Sequence, residues 1–162
     1  MRAMILAAGL GLWLCAPALA APYDVVEKDI ATLQADMAAG KVDAVGLVQA
    51  YQGRIAAIDP QLHSVLALNP DALAEARALD AERKAGHLRG PLHGIPILVK
   101  DNIETLDPIP TTAGSLALAN NITHRDAPVV ARLRAAGAII LGKTNLSEWA
   151  NIRSTHSISG WS

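Results

Sequence analysis

The chain has 162 residues, of which 51% are hydrophobic and 18% are charged, and its formal net charge at pH 7 is -1. These values suit one globular unit and exclude a chain that is disordered throughout. Because 14 Lys and Arg residues face 15 Asp and Glu residues, the composition offers no basic excess for a phosphate backbone, and we expect no nucleic-acid partner.

Residues 1–20 differ in composition from the rest of the chain. Arg2 supplies a positive charge, Met4–Cys15 is an almost unbroken apolar run, and Ala18-Leu19-Ala20 is a small-x-small cleavage signal. An uncleaved membrane anchor is the less favoured alternative, because the run is shorter than the ~20 residues that span a bilayer and Pro17 interrupts it. We therefore predict a signal peptide over 1–20 and a secreted or periplasmic protein without stable membrane association.

The residue types that hold metals or form thiol nucleophiles are sparse. The only cysteine, Cys15, lies inside the predicted signal peptide, so residues 21–162 contain no thiol for a disulfide, a zinc site or a nucleophile. The five histidines show none of the close spacings of a metal site: His63, His87, His93, His124 and His156. We expect neither a metal nor an organic cofactor.

Two amphipathic helices are predicted at the start of the mature part. Apolar positions recur at helical spacing from Asp24 to Ala39, before Gly40, and again after Asp43, which we expect to cap a second helix that ends at Asp59-Pro60. The predicted buried positions are Val26, Ile30, Leu33 and Met37 in the first helix and Val48, Tyr51, Ile55 and Ile58 in the second.

A short strand and an alanine-rich helix come next. Ser64–Leu68 has strand character, and Asn69-Pro70-Asp71 supplies a cap, a proline and an acidic residue to a helix that ends near Gly86. The charged side chains of this helix are interpreted as a solvated face without function: Glu75, Arg77, Asp80, Glu82, Arg83 and Lys84.

Lys100 follows a predicted strand, Ile95–Val99, whose apolar character is typical of burial on both faces. An ammonium group that leaves water incurs a large desolvation cost unless it is paired, and burial favours the neutral amine, which can act as a base. On the local pattern alone, Lys100 could also reach the surface or pair with Asp101. The pattern leaves these alternatives open.

A helix and a second strand complete a strand–helix–strand unit. Asp126 and Pro128 are predicted to begin the helix, Gly137 to close it, and Ala138–Leu141 to form a buried strand. Because this order gives parallel strands joined by a crossover helix, the predicted fold class is α/β. The predicted buried side of the helix consists of Val129, Val130 and Leu133.

The segment Gly90–Ile103, GPLHGIPILVKDNI, resembles the part of amidase signature enzymes that supplies their catalytic lysine. Three further segments follow in that family's order and approximate spacing: Thr111–Ser115, Asp126–Val130 and Gly137–Trp149. The resemblance implies that residues 21–162 are the N-terminal portion of an amidase domain. It also implies the fold, with N-terminal helices followed by part of a mixed, largely parallel sheet that helices flank.

The chemistry implied by this resemblance is hydrolysis of a carboxamide C–N bond. Enzymes of the family use a Ser-Ser-Lys triad, in which the second serine follows a cis peptide bond, and the resemblance implies that Lys100 is the triad's base. The family's serines and oxyanion loop lie in a glycine- and serine-rich segment that has no match here, so we expect the chain alone to be inactive. The C-terminal serines are expected to be structural: Ser154, Ser157, Ser159 and Ser162.

The expected substrate is a small-molecule or peptide amide, with a slight preference for a peptide amidase-like activity. The oligomeric state is not predicted. One alternative is an A-type amidotransferase subunit, against which the predicted signal peptide argues. The other is an exported binding module without catalytic activity.

Two other motifs give weaker signals. Gly137–Thr144 matches the phosphate-loop pattern G-x-x-x-x-G-K-T, but a helix precedes it and its first residues are strand-like, so we do not expect nucleotide binding. Asn121-Ile122-Thr123 and Asn145-Leu146-Ser147 match the glycosylation sequon. We expect Asn145 to have a structural role beside the end of a strand.

Overall fold

The computed structural model describes residues 23–150. The predicted signal peptide, His156 and the four C-terminal serines therefore lie outside the described residues. Within the described range, the chain forms helices and strands in the predicted order, which confirms the α/β class. The elements are α1 (Ile30–Ala38), α2 (Ala44–Leu62), β1 (Val65–Leu68), α3 (Ala72–Lys84), β2 (Pro96–Lys100), α4 (Pro128–Ala135) and β3 (Ile139–Thr144), with 3-10 turns at Leu116–Leu118 and Glu148–Ala150.

The three strands form one sheet in the order β1-β3-β2. β2 and β3 are parallel, as the strand–helix–strand pattern predicted, and β1 runs antiparallel to β3, so the sheet is mixed. At the carboxyl end of the parallel pair, Val99 lies beside Lys143 and Lys100 beside Thr144, after a register shift between Ile97 and Leu98.

The helices pack through three sets of apolar side chains, of which the one around α1 consists of Val25, Leu33, Met37, Leu47 and Ile95. α4 and β2 share a small cluster of Val99, Val130 and Ile140. Successive residues of a strand point to opposite faces, so Ile140 faces α4 while Ile139 and Leu141 face away from it. The larger cluster joins α2 and α3 to the sheet through Ala44, Val48, Ala72, Ala76, Leu79, Ile139 and Leu141.

The prediction that the strand before Lys100 is buried on both faces is wrong. Pro96, Ile97 and Leu98 are only half-buried, whereas Val99 is buried. The reason is topological, because β2 is an edge strand of the sheet formed by residues 23–150. The central strand β3 is the buried one, and it extends past the predicted Leu141 to Thr144.

The first helix is shorter than predicted, and only half of its predicted buried face is correct. It begins at Ile30, where the Asp29 carboxylate accepts a hydrogen bond from the Thr32 N–H at 2.7 Å. Leu33 and Met37 are buried, but Val26 and Ile30 are 43% and 44% exposed. Val26 lies ahead of the helix and does not follow its 3.6-residue period, and Ile30 is the first helical residue, at the exposed end of the helix.

The cap predicted for α2 is confirmed, since the Asp43 carboxylate accepts a hydrogen bond from the Gly46 N–H at 2.7 Å. The helix runs past the predicted stop at Asp59-Pro60 to Leu62, and Ile58, predicted to be buried, is 38% exposed. Asp59 accepts hydrogen bonds from the N–H groups of Ser64 and Val65 and so shapes the turn that leads into β1.

The cap predicted for α4 is wrong. Ala127 holds the N-cap position without a side-chain hydrogen bond, although Pro128 is in the first turn as predicted. The Asp126 carboxylate instead accepts hydrogen bonds from the Leu106 N–H at 2.9 Å and from Arg134 at 3.0 Å. A long-range partner thus takes the carboxylate that the local pattern assigned to the helix. Of the three predicted buried residues of α4, only Val130 is buried.

The charged side of α3 is not simply a solvated face. Asp80 is buried, and its two carboxylate oxygens accept hydrogen bonds from the Ala44 and Val45 N–H groups at 2.8 and 3.1 Å. It therefore satisfies N–H groups that have no partner within the first turn of α2. Arg83 donates to the His93 carbonyl at 3.0 Å, and Glu75 pairs with Arg134 at 3.0 Å.

No helix within residues 23–150 is long and apolar enough to cross a membrane.

Candidate functional site

Lys100 is the last residue of β2, and its backbone is held on both sides. Its carbonyl accepts a hydrogen bond from the Ile103 N–H at 2.9 Å, and the next N–H, that of Asp101, donates to the Thr144 carbonyl at 3.1 Å. The side chain is half-buried, and its Nζ makes no hydrogen bond or ion pair with any of residues 23–150. The structure therefore places the Lys100 amino group at a fixed strand end, without a partner among residues 23–150.

Asp101 does not pair with Lys100, which was one of the alternatives open from the sequence. Asp101 is fully buried, and its Oδ2 accepts hydrogen bonds from both the N–H and the hydroxyl of Thr112. Its main-chain carbonyl accepts from the Ala113 N–H at 3.1 Å. These bonds attach Thr111–Ser115, one of the segments that resemble the amidase signature family, to the end of β2.

Lys143 is the buried lysine of this region, with 0% of its surface exposed. Its Nζ donates hydrogen bonds to the Ile103 carbonyl at 2.6 Å and to the Thr111 hydroxyl at 2.7 Å. Sequence reasoning assigned it no role in the site. The sequence signal that could have predicted burial of Lys143 was the apolar run Ile139–Leu141 ahead of it. The desolvation cost of a buried ammonium group applies to a lysine of β3 as it does to Lys100.

Burial lowers the pKa of Lys143 from its ordinary value of 10.5, and nearby carboxylates, Asp101 foremost among them, raise it in part. The unfolded chain therefore binds this proton more tightly than the folded protein does. The contribution of Lys143 to the free energy of unfolding should rise with pH, from the folded-state pKa up to 10.5.

Denaturant unfolding over a series of pH values would measure this effect. Lys143→Met should lose the part of the pH slope that Lys143 causes. Lys84→Met, which changes an exposed lysine of α3, should keep the slope of the unmodified protein. Equal slopes in the two variants would contradict the lowered pKa.

The phosphate-loop-like residues are part of the packed sheet. Gly137 has φ +90, and a Cβ there would lie 2.7 Å from the Cα of His93. A Cβ on Gly142 would lie 2.2 Å from the Ala67 carbonyl oxygen, because β1 packs closely there. The predicted strand character is confirmed, and Lys143 points into the protein. The geometry leaves no loop around which a phosphate could bind.

His93 is the one fully buried histidine among the described residues. Its Nδ1 accepts a hydrogen bond from the Arg89 N–H at 3.2 Å, so the ring proton lies on Nε2 and is donated to the Leu79 carbonyl at 2.9 Å. The ring is therefore structural. Within residues 23–150, no group of three or more His, Cys, Asp or Glu side chains is arranged to hold a metal ion.

Both sequon asparagines use their side-chain amides in hydrogen bonds to main-chain carbonyls of other segments. Asn121 donates to the Thr111 carbonyl at 3.0 Å, and Asn145 donates to the His63 carbonyl at 2.9 Å. The structural role predicted for Asn145 is confirmed, since it joins the end of β3 to the turn before β1.

The family model described as Amidase matches residues 46–160 of the chain. The structure of a peptide amidase from Stenotrophomonas maltophilia is 59% identical in sequence and superposes with a TM-score of 0.78, over 85% of this chain and 28% of that one. A putative amidase from Arthroderma benhamiae is 48% identical over 131 residues, which make up 81% of this chain and 22% of the relative.

The A subunit of the glutamyl-tRNA(Gln) amidotransferase from Streptomyces coelicolor is 43% identical over 133 residues, or 82% of this chain and 27% of the subunit. The chain thus spans about a quarter of the length of the relatives that it matches. The region that the family model matches includes the strand end that carries Lys100 and the buried strand that carries Lys143.

Proposed function

The chain belongs to the amidase family, and from this premise we propose that the complete protein containing it hydrolyses the C–N bond of a carboxamide, with Lys100 as the catalytic base. The observation that carries the proposal is the position of the Lys100 side chain. Its amine has no partner among residues 23–150, while its backbone is held by Ile103 and Thr144 through neighbouring hydrogen bonds. A catalytic base must combine these two properties, a fixed origin and an amino group that no other side chain already engages.

In the proposed mechanism, Lys100 completes a Ser-Ser-Lys triad. A serine hydroxyl is a weak nucleophile, so a base must take its proton as it attacks the amide carbonyl. Lys100 accepts this proton through the second serine and returns it toward the leaving amine, while backbone N–H groups hold the oxyanion. Water then cleaves the serine ester to release the carboxylate. Both serines belong to a glycine- and serine-rich segment that this sequence does not contain, so residues 1–162 alone are expected to be inactive.

A peptide carrying a C-terminal amide is the substrate class that we favour. The support is the 59% identity to a peptide amidase structure, which exceeds the 43% identity to the amidotransferase subunit. The apolar run and small-x-small signal of residues 1–20 support export, so the proposed enzyme acts in a secreted or periplasmic setting. Such a protein would meet peptides rather than charged tRNA.

The second candidate function is that of an amidotransferase A subunit, which the Streptomyces coelicolor relative supports. A subunit of that kind would pass ammonia to a second substrate bound by partner subunits. The two functions therefore differ in whether ammonia is released without a partner.

Ammonia release by the complete purified protein separates the two candidates. We expect release from a peptide C-terminal amide without ATP, tRNA or another protein, and slower release from small aliphatic and aryl amides. Ammonia production only with partner subunits would favour the amidotransferase. An absence of hydrolysis with every amide would contradict the proposed function.

A further inference from the structure

Lys143 links two chain segments that meet beside Lys100. One bond of its Nζ reaches the Ile103 carbonyl at 2.6 Å, three residues after Lys100, and the other reaches the Thr111 hydroxyl at 2.7 Å. The N–H of the same Ile103 donates to the Lys100 carbonyl at 2.9 Å. The Lys143 side chain is thus connected to the backbone of Lys100 by two hydrogen bonds that both involve the main chain of Ile103.

Asp101 links the same two segments by a separate route. Its Oδ2 accepts from the Thr112 N–H at 3.1 Å and from the Thr112 hydroxyl, and its carbonyl accepts from the Ala113 N–H. Its other carboxylate oxygen is buried and has no hydrogen-bond partner among residues 23–150. Lys143 is the cation that interacts with this carboxylate, since Asp101 has the largest electrostatic effect on Lys143 among the nearby carboxylates.

The sheet register explains how the Lys143 side chain reaches the Ile103 carbonyl and the Thr111 hydroxyl. Lys143 pairs with Val99 in the parallel ladder, beyond the register shift at Ile97 and Leu98. Val99 packs with Val130 and Ile140 beneath α4, and residues paired across neighbouring strands share a face. Leu141 is an additional residue of β3, because Ile97 pairs with Ile140 and Leu98 with Gly142, so the alternation of faces along β3 is reversed beyond it. Lys143 therefore extends on the α4 side of the sheet, while Lys100, the next position along β2, belongs to the opposite side.

We infer that Lys143 is a positioning residue for amide hydrolysis, which holds the segments after Lys100 in place and so sets the direction of the Lys100 side chain. The inference rests on the proposed function of Lys100. Lys143 touches no reacting atom, because it is fully buried and both of its hydrogen bonds end on the chain itself. Its effect on catalysis is exerted through the geometry of the strand end.

A misplacement of about 1 Å in a catalytic group can cost about 100-fold in rate. We therefore expect Lys143→Met in the complete protein to lower kcat about 100-fold with little change in KM, when the rate is expressed per titrated active site. Methionine keeps an unbranched apolar chain of similar length but removes both hydrogen bonds. The matched control is Lys84→Met, which changes an exposed lysine of α3 that forms no ion pair within residues 23–150 and should keep full activity.

Thr111 supplies an independent test if Lys143→Met fails to fold. Thr111→Val removes the hydroxyl that accepts from Lys143 but keeps the shape of the side chain, and Thr111→Ser restores the hydroxyl. We expect Thr111→Val to lower kcat per active site about 10-fold, at unchanged KM, and Thr111→Ser to recover most of it. A purely structural hydroxyl would alter stability but not the rate per titrated site.

The outcomes separate this inference from the proposed function. If the unmodified protein hydrolyses amides and Lys100→Ala abolishes hydrolysis, a normal kcat in Lys143→Met or in Thr111→Val would overturn the role of Lys143 alone. If the unmodified protein hydrolyses no amide, the proposed function fails first. Loss of kcat in Lys143→Met and Thr111→Val, with recovery in Thr111→Ser, would establish the positioning role.

Discussion

Lys100→Ala is expected to lower kcat for amide hydrolysis by the complete protein about 1000-fold or more, because it removes the proposed base of the triad. The fold should not change, since the Lys100 side chain makes no hydrogen bond within residues 23–150. The bonds that hold this strand end use the main chain of Lys100 and Asp101, which alanine keeps. The loss of activity should therefore result from the missing amino group and not from a change in the fold.

A second substitution at the same position tests whether a base, and not merely a positive charge, is required. Lys100→Arg keeps the charge, but a guanidinium does not give up its proton at accessible pH, so we expect it to be as inactive as Lys100→Ala. Lys84→Ala is the matched surface control. Circular dichroism and thermal unfolding would confirm that the variants fold. Near-normal hydrolysis by either Lys100 variant would refute the assignment.

Gly142→Ala is expected to destabilise the protein by about 3 kcal/mol or more, the upper end of what overpacking costs. The added Cβ would lie 2.2 Å from the Ala67 carbonyl oxygen and 3.0 Å from the Leu68 Cα. Both are backbone atoms of β1, so no side chain can rotate away to make room. The strand would have to separate from β3, whose Gly142 pairs with Leu68.

Gly53→Ala is the control for this prediction, because it makes the same chemical change where there is room. Gly53 lies exposed within α2, and a Cβ there meets nothing within 4 Å. Alanine is the better helix former, so this variant should gain about 0.5–1 kcal/mol. Urea unfolding of the two variants and the unmodified protein measures both effects. A Gly142→Ala protein as stable as the unmodified one would contradict the observed strand packing.

Local sequence signals predicted the elements of this fold well. Asp43 caps α2 as its position before an apolar-periodic stretch predicted, and Pro128 lies in the first turn of α4. These features depend on contacts within one turn of helix, where a residue's neighbours in space are its neighbours in sequence. The family was also recognisable from Gly90–Trp149, a stretch that the matched region 46–160 includes.

Charged residues were interpreted less well, because their partners lie far along the chain. Asp80 was assigned to a solvated face, yet it is buried and accepts hydrogen bonds from the N–H groups of Ala44 and Val45 at the start of α2. Asp126 was assigned to a helix cap, yet its carboxylate accepts hydrogen bonds from the Leu106 N–H and from the Arg134 side chain. A carboxylate carries the same local signal in either role, so only the packed structure could distinguish them.

The sequence by itself determined the α/β class, the family and the position of Lys100 at the end of a strand. Tertiary structure decided which lysine is buried. Lys100 and Lys143 both follow apolar runs, but in the sheet that residues 23–150 form, β2 is an edge strand and β3 the central one. The Lys100 side chain is therefore only half-buried and has no partner among those residues, whereas Lys143 is enclosed. Strand order is set by pairing between distant segments, and burial follows from that order rather than from the hydrophobicity of the run itself.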